Sequence, residues 1–309
     1  MKLLINLYSP VHAFCGSKEH FQPLFEIFGE EQCILAESKE HFRSLLPEAE
    51  AVFCWNFPKE FYSLADQLKL IVTPAAGRDW VAPAPSSVVQ VEFSSFHGPM
   101  IAESFLAMML FFNNQFSKQL ELQGQKTWDR NACFERRLLK NQSLLILGCG
   151  NIGQHCAALV KTLGMKVVGA NRRGIGGGDF SYVKMSELSD IIEDFDHVLS
   201  LIPGDEENEK VLGDKFFSSL KSGAHFYNFG RGTVVDEESL LSFLCKNPSS
   251  FAGLDVTYNE PLSEGSPLYA HKQVLLTPHN SCTYEDYLHL FVAEFIGRFE
   301  LGQFPSLKA

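Results

Sequence analysis

Residues 143–164 read SLLILGCGNIGQHCAALVKTLG, an apolar run that meets three glycines and passes straight into a helical pattern. Gly148, Gly150 and Gly153 stand in G-x-G-x-x-G register. Glycines cluster in many turns, but a strand before and a helix after are the context a dinucleotide-binding turn demands. Gly148 permits the tight turn, Gly150 lets the backbone approach a pyrophosphate, and Gly153 allows close helix–strand packing. The helix start at Asn151 and Ile152 then offers N–H groups and partial positive charge to phosphate oxygens.

Outward from this turn, apolar runs keep alternating with helical patterns. Strands are expected at 143–147, 166–170, 197–202, 224–228, 252–256 and 274–277, with helices at 152–163, 186–192, 214–220 and 237–245. Six strands with crossover helices predict a doubly wound parallel (Rossmann) sheet. Upstream, strands at 2–8, 33–36, 51–55 and 68–73 alternate with helical spacing at 20–28 and 60–66, which predicts a smaller α/β domain of flavodoxin-like type. One long helix is expected over 100–121, followed by a polar stretch at 123–131. The amphipathic segment 284–301 is expected to pack back on the first domain. The domains would then be 1–98 with 283–309, and 99–282.

Composition limits the alternatives. A chain of 309 residues with 45% hydrophobic and 20% charged residues has the mix of a globular protein, against disorder, collagen or coiled coil. With 26 Lys+Arg against 37 Asp+Glu, the net charge is −11, which opposes broad nucleic-acid binding. Eight cysteines without a CxxC argue against a zinc site or a small disulfide framework and for reduced thiols in the cytoplasm. No metal site is expected. The opening MKLLINLYSPVHAFCG is broken by Pro10 and His12 and reads as a first strand rather than a signal peptide. The apolar run FLAMMLFF, at 105–112, is far shorter than the ~20 residues of a membrane helix.

The second strand of the Rossmann series decides which dinucleotide fits. An NAD site wants an acid about 20 residues beyond the glycines, to hold the ribose 2′-hydroxyl. Asn171 stands there instead, followed by Arg172 and Arg173. Guanidinium forks match phosphate oxygens, so the expectation is NADPH, with NADH as the lesser coenzyme. The glycines of GIGGG, 174–178, read as a flexible loop rather than a second fingerprint.

Three charged residues follow late strands, where ligands bind in open α/β sheets. They are Arg231 in NFGRGTVVDEESL, Glu260 in LDVTYNEPL and His279 in VLLTPH. With the G-x-G-x-x-G before them, these segments resemble the D-isomer-specific 2-hydroxyacid dehydrogenases over residues 70 to 282. Reducing a 2-keto acid requires a hydride donor, a proton donor for the developing alkoxide and a cation for the carboxylate and carbonyl. Arg231 suits the last task and His279 the proton, with Glu260 holding its ring and raising its pKa.

The resemblance implies further roles. Asp255 matches an Asp near the nicotinamide, although an Asp at a strand end also caps turns. Ala76 and Gly77, in VTPAAGRDW, match a loop whose N–H groups hold the substrate carboxylate. Trp55 resembles an aromatic wall of glyoxylate/hydroxypyruvate reductases and could equally be core. The helix that starts near Ala102 and Glu103 matches the one that forms the family's homodimer interface. Arg78 and Asn280 replace aliphatic residues of the pattern, which leaves the substrate open. His97, a loop histidine without an identified partner, is set aside.

The expected activity is NADPH-dependent reduction of glyoxylate, hydroxypyruvate or a similar small 2-keto acid. A dehydrogenase of 3-phosphoglycerate or 4-phosphoerythronate and a non-catalytic NAD(P)-sensing protein are the alternatives.

Overall fold

The structure is a computed structural model, and it describes residues 2–86 and 88–307. The chain divides into two compact units, Met1–His97 with Thr283–Ala309, and Gly98–Cys282.

The first unit is built on five parallel strands, β1 (Leu3–Asn6), β2 (Cys33–Leu35), β3 (Ala51–Cys54), β4 (Leu70–Thr73) and β5 (Gln90–Phe93). Their order, β2-β1-β3-β4-β5, is the flavodoxin-like arrangement. β3 and β4 are buried along their whole length, as continuous apolar strands covered on both faces must be. Helices α1 (Gln22–Phe28) and α2 (Lys39–Leu45) connect the early strands. Ser38 caps α2 by accepting from His41 N at 3.0 Å. Leu4, Phe42, Leu46, Val52, Phe57 and Ile71 form the core on one side.

The second unit opens with α3 (Gly98–Asn113) and α4 (Phe116–Gly124). The expected single helix over 100–121 is therefore broken, because Gln115 turns to φ 52° at the start of α4. Next come β6 (Ser143–Leu147), α5 (Asn151–Lys161), β7 (Lys166–Asn171), β8 (Ser181–Lys184), β9 (His197–Ser200) and α6 (Asp214–Ser218). They are followed by β10 (His225–Asn228), α7 (Glu237–Lys246), β11 (Ala252–Leu254), α8 (Pro267–Ala270) and β12 (Val274–Leu276). The seven strands are parallel, in the order β12-β11-β10-β9-β6-β7-β8. Strand order reverses between β6 and β9, the switch point where a doubly wound sheet binds its ligand. The sheet has one strand more than the six expected, since β8 is added at its edge.

α3 lays Ile101, Phe105, Met108, Met109 and Phe112 against Cys156, Ala157 and Val160 of α5. The other sheet face carries Leu145, Val198, Phe226, Leu240 and Phe243. The chain then returns to the first unit as α9 (Tyr287–Glu300), which sets Phe291 and Phe295 against Phe53 at ring distances of 5.5 and 4.6 Å. None of the helices is long and apolar enough to cross a membrane among the described residues.

Candidate active site

The strands of the second unit end at one edge, and each contributes a loop there. After β6, Gly148 takes φ +78°, and a side chain at this position would collide with Leu201 O at 2.7 Å. Gly153 packs against Cys149 Sγ and Ile146, as the close helix–strand contact requires. Gly150 differs from both: a Cβ there would have nothing within 4 Å. Gly150 also carries no side chain that could cap α5, so it places nothing of its own between the first turn of the helix and a ligand. The loop therefore fits a pyrophosphate, with Gly148–Gly153 as its cradle.

At the end of β7 the Asn171 side chain builds a turn. Its Oδ1 accepts from Arg173 N at 2.9 Å and Gly174 N at 2.8 Å, and its Nδ2 donates to Ile175 O at 2.8 Å. Tyr182 of β8 donates to Gly177 O at 2.6 Å, so the 174–178 loop is tied at both halves. Arg172 and Arg173 project from this turn into solvent, with Arg172 3.6 Å from Glu207 in a solvent-exposed ion pair. Such a pair is worth little and yields readily to a better anion.

Arg231 follows β10 between two glycines. Gly230 lies against the backbone of Ile202, and a Cβ on Gly232 would meet Thr257 O at 1.8 Å. Asn228, fully buried, donates to Arg231 O at 3.0 Å and accepts from Gly230 N at 3.2 Å. The guanidinium donates to Gly230 O at 3.0 Å. After β11, Glu260 accepts from Thr257 N at 3.2 Å, while Glu237 at the start of α7 accepts from Tyr258 N at 2.8 Å. The two loops thus meet backbone to backbone.

His279 Nδ1 lies 2.7 Å from Glu260 Oε2. The His279 backbone sits at φ +50° and is held by bonds from its N–H to Asp255 O at 2.8 Å and Thr277 O at 3.0 Å. The hydrogen bond to Glu260 raises the imidazole pKa, with burial and the Arg231 charge opposing it. Burial pushes the Glu260 carboxyl up, but its hydrogen bond and charge interaction with His279 prevail and hold it below its ordinary value. The pair is therefore biased toward imidazolium and carboxylate.

Asp255 is nearly fully buried. Its carboxylate accepts from Thr277 Oγ1 at 2.6 Å, Asn280 N at 3.1 Å and Ser281 N at 3.4 Å. It brackets the turn that carries His279. Sequence reasoning noted that an Asp at a strand end caps turns and did not connect it to this histidine. It missed Asn228, Glu237 and Gly232, whose only signal is their place beside Arg231 and Glu260.

In the first unit, Trp55 is half-buried and donates from Nε1 to Phe14 O at 3.2 Å. Ala76 and Gly77 lie in the loop after β4, at the carboxyl edge of that sheet, and Arg78 is exposed beside them. The Asn280 side chain is likewise on the surface. Among the described residues no group of three His, Cys, Asp or Glu side chains is placed to hold a metal, and all eight cysteines are unpaired.

Residues 106–281 match the D-isomer specific 2-hydroxyacid dehydrogenase, NAD binding domain family. The match covers more than half of the chain, which belongs to that family. A solved D-isomer specific 2-hydroxyacid dehydrogenase family protein from Aeromonas salmonicida is 27% identical, with 97% of this chain and 96% of that one aligned at a TM-score of 0.79. Glyoxylate/hydroxypyruvate reductase B of Klebsiella pneumoniae is 34% identical over 148 residues, 47% of this chain. That match spans 46% of the reductase, about half its length. The NADPH-dependent glyoxylate/hydroxypyruvate reductase of Sinorhizobium meliloti, solved with NADP and sulfate, shares the fold at 22% identity and a TM-score of 0.78, over 97% of this chain and 95% of that one.

Proposed function

We propose that the protein reduces a small 2-keto acid, glyoxylate or hydroxypyruvate, to the D-2-hydroxy acid with NADPH, using Arg231, Glu260 and His279. The observation that carries this reading is the 2.7 Å pairing of His279 Nδ1 with Glu260 Oε2 at the ligand-binding edge of a doubly wound sheet. NADPH held along Gly148–Gly153 supplies the hydride.

The protein supplies the rest. With Nδ1 taken by Glu260, Nε2 is the His279 nitrogen that gives a proton to the carbonyl oxygen as negative charge develops on it. Glu260 fixes the ring and stabilises the imidazolium before transfer. Arg231 binds the substrate carboxylate and polarises the carbonyl, a task suited to a planar fork of donors. Ala76 and Gly77 contribute N–H groups to the carboxylate and Trp55 an aromatic wall. Asp255 holds the His279 turn beside the nicotinamide, and Asn171 shapes the turn from which Arg172 and Arg173 meet a 2′-phosphate. The NADPH-dependent glyoxylate/hydroxypyruvate reductase of Sinorhizobium meliloti, which shares the fold and was solved with NADP, supports this coenzyme.

The functional unit is a homodimer in this reading. Trp128, Phe134 and Leu138 of the second unit are 91%, 81% and 64% exposed, large apolar side chains that a second copy would cover.

The test is nicotinamide absorbance with glyoxylate, hydroxypyruvate and 3-phosphoglycerate or its keto acid, with each coenzyme, for wild type and His279→Asn. Rapid NADPH oxidation by glyoxylate or hydroxypyruvate is expected, and a loss of roughly two to four decades in kcat for the variant. Turnover of the phosphorylated acid alone would move the assignment to that class. Near-normal turnover by His279→Asn would remove the proton-donor role.

A further inference from the structure

The loop that carries Ala76 and Gly77 is pinned just before those two residues. Thr73 Oγ1 donates to Trp55 O and accepts from Ala75 N, both at 3.2 Å. Ser94 donates from Oγ to Thr73 O at 3.0 Å and from its N–H to Ala75 O at 3.3 Å. Pro74 has no N–H, and its carbonyl is held from the other side by the Tyr287 hydroxyl at 3.1 Å. The Ala76 and Gly77 N–H groups donate to nothing among the described residues.

Tyr287 opens α9 and is nearly fully buried. The rings of Phe14, Phe96 and Trp55 pack around it at 4.6, 4.9 and 5.8 Å. Its hydroxyl oxygen stands 2.9 Å from His97 Nε2, and His97 is only 4% exposed. A phenol has one hydrogen, and a carbonyl accepts only, so that hydrogen goes to Pro74 O. His97 then donates from Nε2, and its buried Nδ1 meets no hydrogen-bond partner of good geometry among the described residues. Burial holds the His97 pKa down to about 4, so the ring is neutral at ordinary pH. His97 thus has the partner that its sequence neighbourhood does not reveal.

We propose that Tyr287 and His97 are positioning residues for substrate binding: the series His97 Nε2–H, Tyr287 Oη–H, Pro74 O fixes the peptide immediately before the two open N–H groups. This rests on the reading of Ala76 and Gly77 as carboxylate donors. Without the hydroxyl, Pro74 O loses its tether and the Ala76 and Gly77 N–H vectors lose their aim, while Arg231, Glu260 and His279 keep theirs.

The experiment compares wild type, Tyr287→Phe, His97→Leu and His97→Gln for glyoxylate kinetics with NADPH, inhibition by oxalate, and NADPH binding by fluorescence. Tyr287→Phe keeps the ring and its packing. It should raise the glyoxylate KM and the oxalate Ki about tenfold, the worth of one or two net hydrogen bonds, with kcat and NADPH affinity within about twofold. His97→Leu should shift KM in the same direction, and His97→Gln, whose amide can donate to Tyr287, should recover most of the loss. Unchanged KM and Ki in Tyr287→Phe would overturn the proposal, as would a parallel loss of kcat, NADPH affinity and melting temperature, which marks packing alone. A wild-type protein that turns over glyoxylate but is inhibited by neither oxalate nor any other non-reacting 2-carbon carboxylate would overturn the carboxylate-loop reading itself.

Discussion

The backbone N–H of His279 donates to the carbonyl of Asp255 at 2.8 Å, and the Asp255 carboxylate accepts from the two residues that follow the histidine. The tips of β11 and β12 are thereby one bracket, and it holds His279 in the left-handed region that a non-glycine residue enters at a cost. Asp255→Ala strands the Asn280 and Ser281 N–H groups and the Thr277 hydroxyl. It should cost about 1–3 kcal/mol of stability in a denaturant titration, and lower kcat by one to two decades. Activity preserved in a folded Asp255→Ala would show that His279 keeps its place without the bracket.

In the proposed mechanism the His279–Glu260 pair should set the pH profile. Reduction consumes the protonated imidazole, so kcat/KM for the keto acid should be high at low pH and fall as pH rises through the raised His279 pKa. Glu260→Gln removes the largest raising influence and should move that limb to lower pH. For stability the signs differ between partners. The raised His279 pKa adds stability below its unfolded value and loses it as pH rises through the folded value. The lowered Glu260 pKa adds stability above its unfolded value and loses it as pH falls through the folded one. Both side chains are more than a third exposed, so water screens these contributions and the pH–rate profile is the sharper readout.

Coenzyme choice should rest on the turn after β7. Arg172→Ala with Arg173→Ala should raise the NADPH KM by at least tenfold and leave the NADH KM nearly unchanged, since only the 2′-phosphate distinguishes the two. Equal effects on both coenzymes would assign the arginines to general electrostatics.

The exposed side chains of Trp128, Phe134 and Leu138 should govern assembly. Trp128→Glu with Phe134→Glu should convert a dimer to a monomer in light scattering at micromolar concentration, with the melting temperature of the folded chain reported beside it. A wild-type monomer would remove the dimer from the proposal.

What could be read from the sequence follows the range of the interactions involved. The strand–glycine–helix unit at 143–164 is local, and the order of Arg231, Glu260 and His279 at strand ends carries its own chemistry, so these were legible. β5 and β8 were not: QVEF and SYVK are polar, half-buried edge strands with no apolar run to mark them. The break between α3 and α4 was hidden because apolar spacing continues across Gln115 while only its backbone turns. The Tyr287–His97 bond joins residues 190 apart, and the Gly232–Thr257 approach joins two loops of different strands, so no neighbourhood in the sequence announces either.

Gly150 and Gly232 stand on the same sheet edge and would answer oppositely to one added methyl group. At Gly232 the methyl has no room, because the Thr257 carbonyl already occupies it; at Gly150 it enters open space. An alanine scan scored by cellular abundance would accordingly penalise position 232 and pass over position 150. The same scan scored by the rate of coenzyme oxidation would penalise both. The difference between the two scores maps where the protein has left room for something other than itself.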